Sequence, residues 1–408
     1  MVTWCDDLME RVLVVSERYW PDGSGGELAT HLIVGLLRDA FDVTVVTGSR
    51  NVARHENVRY VYEPLLSRRE KPILWLNVGR LVGKDRFRRL LREVDIVYVP
   101  RFSFPLIPYA RSMGKRVVVH LHDYIPISYT ATILAPYEEH KDRVARDDIR
   151  LECMKGVKYC VASLALWWLP KLARRWIAQA DKVICVSKRQ ANIVLDALPE
   201  LKGRVEVVYN PLPAEVISAN PAKEPSEIPT FLYVGGDSYI KGFDILLQTV
   251  RILDGKGVKA KLILTNRYGN KAKDRIQSLK QKLNHIFIEV VGRIGYRKLV
   301  EIHRYAWALL FPSIWEETFG YAVAEAMALG TIPVAFRVGG VLELISSTRA
   351  KDFLIKPSSS EALIKAIMKL VLLTPDQIKK LGHELRQHIL NVISNVEIKN
   401  KLTTILRS

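Results

Sequence analysis

Short β-branched apolar runs recur along this chain, separated by stretches whose apolar positions fall three and four apart, the pattern of strands alternating with helices. The first run, 11–16 (RVLVVS), leads through a Pro/Gly-rich loop to a helical pattern from about 27 to 39 and a second run at 43–47, which predicts a βαβ opening. Similar runs follow at 96–99, 117–121, 183–186 and 205–209. Strands apolar on both faces belong in a mostly parallel sheet with helices on each side.

After Pro211 and Pro213 the pattern lapses into a polar stretch rich in Pro, Glu and Lys, and a fresh strand at 231–234 opens a second alternating series. That series continues at 261–264, 286–291, 308–311, 332–335 and 353–355. The predicted fold is therefore α/β, with two Rossmann-like doubly wound lobes facing a central cleft. The expected boundaries are a first lobe over 1–212, a linker over 213–228, a second lobe over 229–385, and a terminal helix over 386–408 that caps the structure or crosses back to the first lobe. Ligands of such sheets sit at the carboxyl ends of the strands.

Composition agrees with two packed domains: 408 residues, 49% hydrophobic and 25% charged, are too many for one ordinary core. The net charge of +18, spread over both halves, implies attraction to something anionic. The chain carries no recognition-helix or aromatic-platform motif for nucleic acid, no G-x-G-x-x-G for a dinucleotide, and no G-x-x-x-x-G-K-[ST] for a P-loop. Cys5, Cys153, Cys160 and Cys185 form no zinc pattern and are read as buried free thiols of a reducing compartment. The start, Met-Val-Thr-Trp-Cys-Asp-Asp-Leu, lacks the regions of a signal peptide, and no apolar run reaches the roughly 18 residues of a membrane span. The expected location is cytoplasmic, including the inner face of the membrane.

The candidate chemistry gathers after the strand at 308–311. There the loop 312–320 leads into a helix that ends near Leu329 and Gly330. A helix starting beside Gly320 presents the N–H groups of Gly320, Tyr321 and Ala322 at its positive end, a ready phosphate site. Glu317 lies just before that helix and Glu325 in its second turn, so one carboxylate can accept from a sugar hydroxyl and the other from hydroxyls across a diphosphate. Either glutamate alone is an ordinary surface residue. The spacing, the Phe319-Gly320 pair and the strand–loop–helix setting are what single them out.

Two glutamates separated by seven residues around a Phe-Gly pair resemble the hallmark of the retaining GT-B glycosyltransferases of family four, the glycosyl transferases group 1. The segment Gly339-Gly340-Val-Leu-Glu343 resembles the family's Gly-Gly-x-x-Glu. Further matches follow in family order: Gly25-Gly26-Glu27 in the first βα loop, His122-Asp123 after a strand, Ala180-Asp181 to Ser187, Asn210, and Lys241-Gly242. The resemblance covers nearly the whole chain. It implies that the second lobe binds a nucleotide-diphosphate sugar and that the first handles a hydroxyl acceptor, a glycan or a lipid-linked one. Glu317 and His122 would act on the transferred sugar, Glu325 on the ribose, and Phe319, Gly320 and Tyr321 on the diphosphate through main-chain groups. Gly25, Gly26, Asn210 and Lys241 would complete the donor site. No cofactor or metal is expected, since the chain has no Asp-x-Asp and Lys241 with the helix terminus would take the metal's role.

Departures from the family pattern are legible too. Tyr233-Val-Gly-Gly236 carries glycine where the family usually has arginine, Leu264-Thr-Asn266 replaces Gly-x-Gly, and Arg293 is the cation placed to compensate. The alternatives they leave are a nucleotide-sugar-binding protein without transfer activity and a GT-B sugar-nucleotide epimerase. A basic cluster, Arg80, Lys84, Arg86, Arg88, Arg89 and Arg92, reads as one amphipathic helix, either solvated or in peripheral contact with an anionic membrane. The apolar stretch 159–170 (YCVASLALWWLP) is expected to bury against a neighbouring helix, with an interface or acceptor groove as the alternative.

Overall fold

The computed structural model describes residues 9–219 and 223–408. Cys5 with the rest of 1–8, and positions 220–222 of the expected linker, lie outside the described residues. The chain forms two units: one holds the described chain up to Thr132 with Arg143–Pro211 and Asn395–Ser408, the other Ile133–Asp142 with Leu212–Ser394.

The first unit is built on β1 (Arg11–Ser16), β2 (Asp42–Thr47), β3 (Val58–Tyr62), β4 (Ile96–Val99), β5 (Arg116–Leu121), β6 (Lys182–Cys185) and β7 (Val205–Val207), in the order β3-β2-β1-β4-β5-β6-β7. Every pairing is parallel. β1, β4 and β5 are almost wholly buried, as Val-rich runs covered on both faces must be. On one face Val97, Val99 and Val119 join Leu74, Val78, Ile107, Ala173 and Ile177 of the covering helices in one core. The strand order reverses between β1 and β4, and loops at such a reversal diverge to leave a crevice.

The second unit holds β8 (Thr230–Tyr233), β9 (Ala260–Thr265), β10 (Ile286–Gly292), β11 (Ala308–Phe311), β12 (Ile332–Phe336) and β13 (Leu354–Ile355), in the order β10-β9-β8-β11-β12-β13, again all parallel. Its reversal falls between β8 and β11. The two doubly wound Rossmann-like sheets are those that the periodicity predicts, with β3 added at the edge of the first.

Other features differ from expectation. The region read as a linker packs on the second unit: Val216 is buried, Arg386 donates to Ile217 O at 2.8 Å, and the buried Lys223 ammonium donates to His303 O at 2.6 Å, to Thr331 Oγ1 at 2.9 Å and to Ala306 O. The terminal stretch is two helices, Pro375–Val392 and Asn395–Arg407, broken at Ile393–Ser394, and only the last belongs to the first unit. There Lys399 bonds Asp39 at 2.7 Å and Arg407 bonds Glu10 at 2.9 Å. The basic cluster spans two helices, Lys71–Val82 and Asp85–Glu93, parted at Gly83. Finally, Cys153 and Cys160 are disulfide-bonded, not free thiols. Gly156, at φ 136°, turns the helix Val144–Lys155 into Val157–Leu166 and brings the two Cα atoms to 4.0 Å. Cys185 is the free, buried thiol among the described residues, and burial pushes its pKa up.

Candidate active site

In the second unit the loop after β11 is folded around a carboxylate. Glu317, 5% exposed, accepts on Oε1 from Lys241 Nζ at 2.6 Å, Ser313 Oγ at 2.6 Å and Trp315 Nε1 at 2.7 Å. Lys241 comes from the loop after β8, so the two strands that flank the reversal contribute the two charges. Its ammonium also lies 5.1 Å from the Trp315 ring centroid and 5.8 Å from that of Phe311, where the faces of the rings favour a cation.

Glycines make this approach possible. A Cβ on Gly242, at φ 76°, would stand 1.8 Å from Pro312 O, and one on Gly339, at φ 50°, would stand 1.8 Å from Glu317 O. The Gly-Gly pair thus lets the chain press onto the Glu317 backbone, where Gly340 N donates to Glu317 O at 2.7 Å. The neighbouring Glu316 points the other way and accepts from Gly339 N at 2.8 Å and Tyr137 N at 2.7 Å. It clamps the loop, while Glu317 is presented.

Gly320, at φ 93°, caps the helix Tyr321–Ala328, whose first-turn N–H groups point out of its N-terminus. The Phe319 ring is buried edge-on to Tyr321 at 5.2 Å, so this residue offers its main chain rather than its side chain. Glu325 sits one turn further in, where burial lifts its carboxyl to about 7 despite the 2.7 Å hydrogen bond it accepts from Tyr296. Arg293 is exposed in the loop after β10, three positions before Tyr296. Gly236, at φ 64°, has the Arg267 carbonyl 3.2 Å from its would-be Cβ, a backbone that accounts for glycine in place of a long side chain.

The first unit carries its own polar cluster at the ends of β1, β4 and β5. Gly25 and Gly26 open the helix Gly25–Leu37, and a Cβ on Gly26 would stand 2.3 Å from Arg101 Nη1 and 3.5 Å from His122 Cβ. Arg101 bridges two buried acids, Glu27 at 3.1 Å and Glu17 at 3.4 Å. Burial raises Glu17 in spite of Arg101; in Glu27 burial is outweighed by Arg101 and the Ser24 N–H, and the carboxyl lies below its ordinary range. His122 follows β5, stacked on His120 at 4.4 Å, and burial together with the Arg101 charge pushes its imidazole down to about 3. His122 is therefore neutral near pH 7. Asn210 follows β7 with its side chain buried, and its Oδ1 accepts no hydrogen bond among the described residues.

The predicted residues thus fall into two groups. Lys241, Glu317, Phe319, Gly320, Tyr321 and Glu325 gather in the second unit, and Gly25, Gly26 and His122 in the first. The residues that sequence reasoning passed over are Ser313, Trp315, Glu316, Tyr296, Glu17 and Arg101. Ser313 and Trp315 were within reach, since they stand four and two residues before Glu317 in the same loop, and Arg101 stands two residues after a buried strand at the reversal point.

Comparison with known proteins bears on both units. Residues 25–216 match the model of Glycosyltransferase Family 4, and residues 217–388 match that of Glycosyl transferases group 1. A curated relative, the phosphatidylinositol N-acetylglucosaminyltransferase gpi3 subunit of Schizosaccharomyces pombe, is 28% identical over 178 residues, which is 43% of this chain and 38% of that protein. The matched part therefore spans well under half the length of that relative. Among solved structures, sucrose-phosphate synthase from Thermosynechococcus elongatus superposes with a TM-score of 0.74 at 16% identity, covering 98% of both chains. Anabaena HepE in complex with UDP-glucose superposes with a TM-score of 0.67 at 16% identity, covering 97% of this chain and 99% of that one. The two family models adjoin and together take in nearly the whole chain: it belongs to the GT-B glycosyltransferases of family four.

Proposed function

We propose that this glycosyltransferase moves a sugar from a nucleotide-diphosphate donor to a hydroxyl of a glycan or lipid-linked acceptor, with retention of configuration and without a metal. The observation that carries the reading is the convergence of Lys241, Ser313 and Trp315 on Glu317 Oε1, beside the N-terminus of the helix Tyr321–Ala328. With one oxygen held by three donors, the other carboxylate oxygen is oriented to accept from a hydroxyl of the transferred sugar. Breaking the bond from C1 to the diphosphate leaves positive character on the sugar and negative charge on the leaving group. Lys241 and the first-turn N–H groups act on that negative charge. Glu325 exchanges its Tyr296 partner for the ribose hydroxyls. His122, neutral at pH 7, is assigned to the transferred sugar and Gly25 and Gly26 to the diphosphate on family resemblance. Asn210 and Arg293 are assigned to the donor on family resemblance. The net charge of +18 favours a setting at an anionic membrane surface, and the Cys153–Cys160 disulfide removes the reducing-compartment argument for the cytoplasmic side.

The test is transfer or donor hydrolysis by the wild type and by Glu317→Gln and Lys241→Ala. Each variant is expected to lose about 10²-fold or more in kcat, the scale of one lost transition-state charge contact. Wild-type rates in both variants would remove the site. NMR of the anomeric proton in the product reads retention, and an inverted product would overturn that part of the mechanism.

A further inference from the structure

The helix Val157–Leu166 is out of keeping with the rest of the molecule. Its apolar composition predicts burial, yet its one buried residue is Ser163. Val157 is 81% exposed, Val161 60% and Leu164 56%, and the following Trp167 and Trp168 are 47% and 41% exposed. Positions 157, 161, 164 and 168 advance by four, three and four, which lines them along a single face of a helix. An apolar helix left uncovered is a face made for another phase or another molecule.

Charge identifies the occupant. Between Glu152 and Asp181 the chain has no acidic residue and five basic ones. Lys155 and Arg174 are taken up by Glu152 and Glu200, at 2.6 Å each. Lys158 lies over the Tyr159 ring at 4.9 Å and Lys171 over the Trp167 ring at 5.0 Å, and Arg175 is exposed beside them. Rings whose faces carry ammonium groups at the border of an aliphatic stripe match the headgroup level of a bilayer, where Trp and Tyr settle and Lys reaches phosphate. A second copy of the same surface would set these cations against one another. The ten-residue helix is too short to span, and no helix among the described residues is long and apolar enough to cross a membrane. The Cys153–Cys160 bridge fastens the start of this helix to the one before it.

The basic helix Asp85–Glu93 is the weaker candidate. Of the six cations read as its face, Lys84 bonds Glu63 at 3.0 Å, Arg88 donates to Val82 O at 3.0 Å, and Arg80 donates to Asn77 at 3.4 Å.

We propose that the helix Val157–Leu166 with the Trp167–Trp168 corner lies flat in the interface of an anionic bilayer, aliphatic face inward and Lys158, Lys171 and Arg175 on the headgroups. The inference goes beyond the transfer reading and does not depend on it, since the binding it concerns needs no donor.

Co-flotation of the full chain with vesicles of phosphatidylcholine, alone or mixed with phosphatidylglycerol, is the test. The wild type is expected to float with the mixed vesicles and to lose that binding at high salt. Trp167→Ser with Trp168→Ser should lower partitioning about tenfold or more, because two interfacial rings are removed. Lys158→Glu with Lys171→Glu should lower it by at least about tenfold on the electrostatic scale of headgroup attraction. Leu164→Ser, at an exposed site, gives a variant whose fold is not in question and should also weaken binding. Arg88→Glu with Arg89→Glu should leave most of it. The proposal is overturned if the wild type ignores mixed vesicles, if Leu164→Ser and the Trp pair bind as the wild type does while the Arg88 and Arg89 variant does not, or if sedimentation shows a dimer that the Trp substitutions dissolve. Unaltered donor-induced thermal stabilisation in the variants separates this outcome from any failure of the transfer site.

Discussion

At the scale of single residues, Glu317 and Glu325 have the same chemistry and opposite surroundings. Glu317 is met by an ammonium, a hydroxyl and an indole N–H, whereas Glu325 is buried against one phenol and holds its proton up to about 7. A carboxyl whose folded-state pKa lies above its unfolded value of 4.5 stabilises the fold fully below that value and loses the contribution as pH rises through about 7. Between those pH values the wild type should lose stability relative to Glu325→Gln, by on the order of 3 kcal/mol in total. Denaturant melts of both proteins at a series of pH values check this, and parallel curves would place Glu325 in a solvated setting. The glutamate pair was legible in the sequence because spacing and a Phe-Gly pair mark it. Tyr296 was not, because its partner lies 29 positions away and nothing local to a tyrosine at the start of a helix signals a buried acid.

Elements are where the apolar pattern speaks most clearly and where its silence is physical. Strands buried on both faces, such as β4 and β11, are plain in the sequence. β3 was missed because an edge strand with one wet face, VRYVY, has exposed and half-buried positions in place of a continuous apolar run. The break at Gly83 was missed because the cations run on across it, and the exposure of Val157–Leu166 because an apolar helix reads as a core helix wherever water is assumed to be the only solvent. Among the connections, the Gly-Gly turn before the helix Val341–Ile345 is the tightest test of how the site is held. Gly339→Ala places a methyl on the Glu317 carbonyl in a left-handed backbone, so it should cost about 3 kcal/mol or more and reduce transfer even in the fraction that folds. Thermal melts with activity normalised to folded protein measure both effects. A stable, fully active Gly339→Ala protein would mean that the turn does not shape the site.

For the whole molecule, the two-unit organisation follows from two runs of alternation, but the exchange of segments between units does not. Ile133–Asp142 groups with the second unit and Asn395–Ser408 with the first, and what assigns them is side-chain contact at long sequence separation, such as Tyr137 N on Glu316 and Lys399 on Asp39. Removing the last helix would expose the faces that cover Ile398, Leu402, Ile405 and Leu406, a loss of about 6 kcal/mol or more by burial of four aliphatic side chains. A chain ending at Ser394 should show faster hydrogen exchange in β1, β2 and the helix Gly25–Leu37, with β8 to β12 unchanged; uniform loosening of both units would contradict the assignment of that helix to the first. Calorimetric titration of wild type and Lys241→Ala with UDP-, GDP- and ADP-sugars decides whether a nucleotide-sugar site is built on Lys241 and Glu317. The wild type should bind one donor class saturably, and the variant about tenfold or more weakly. Equal affinities in the two proteins, or no binding of any donor by the wild type, would contradict that site.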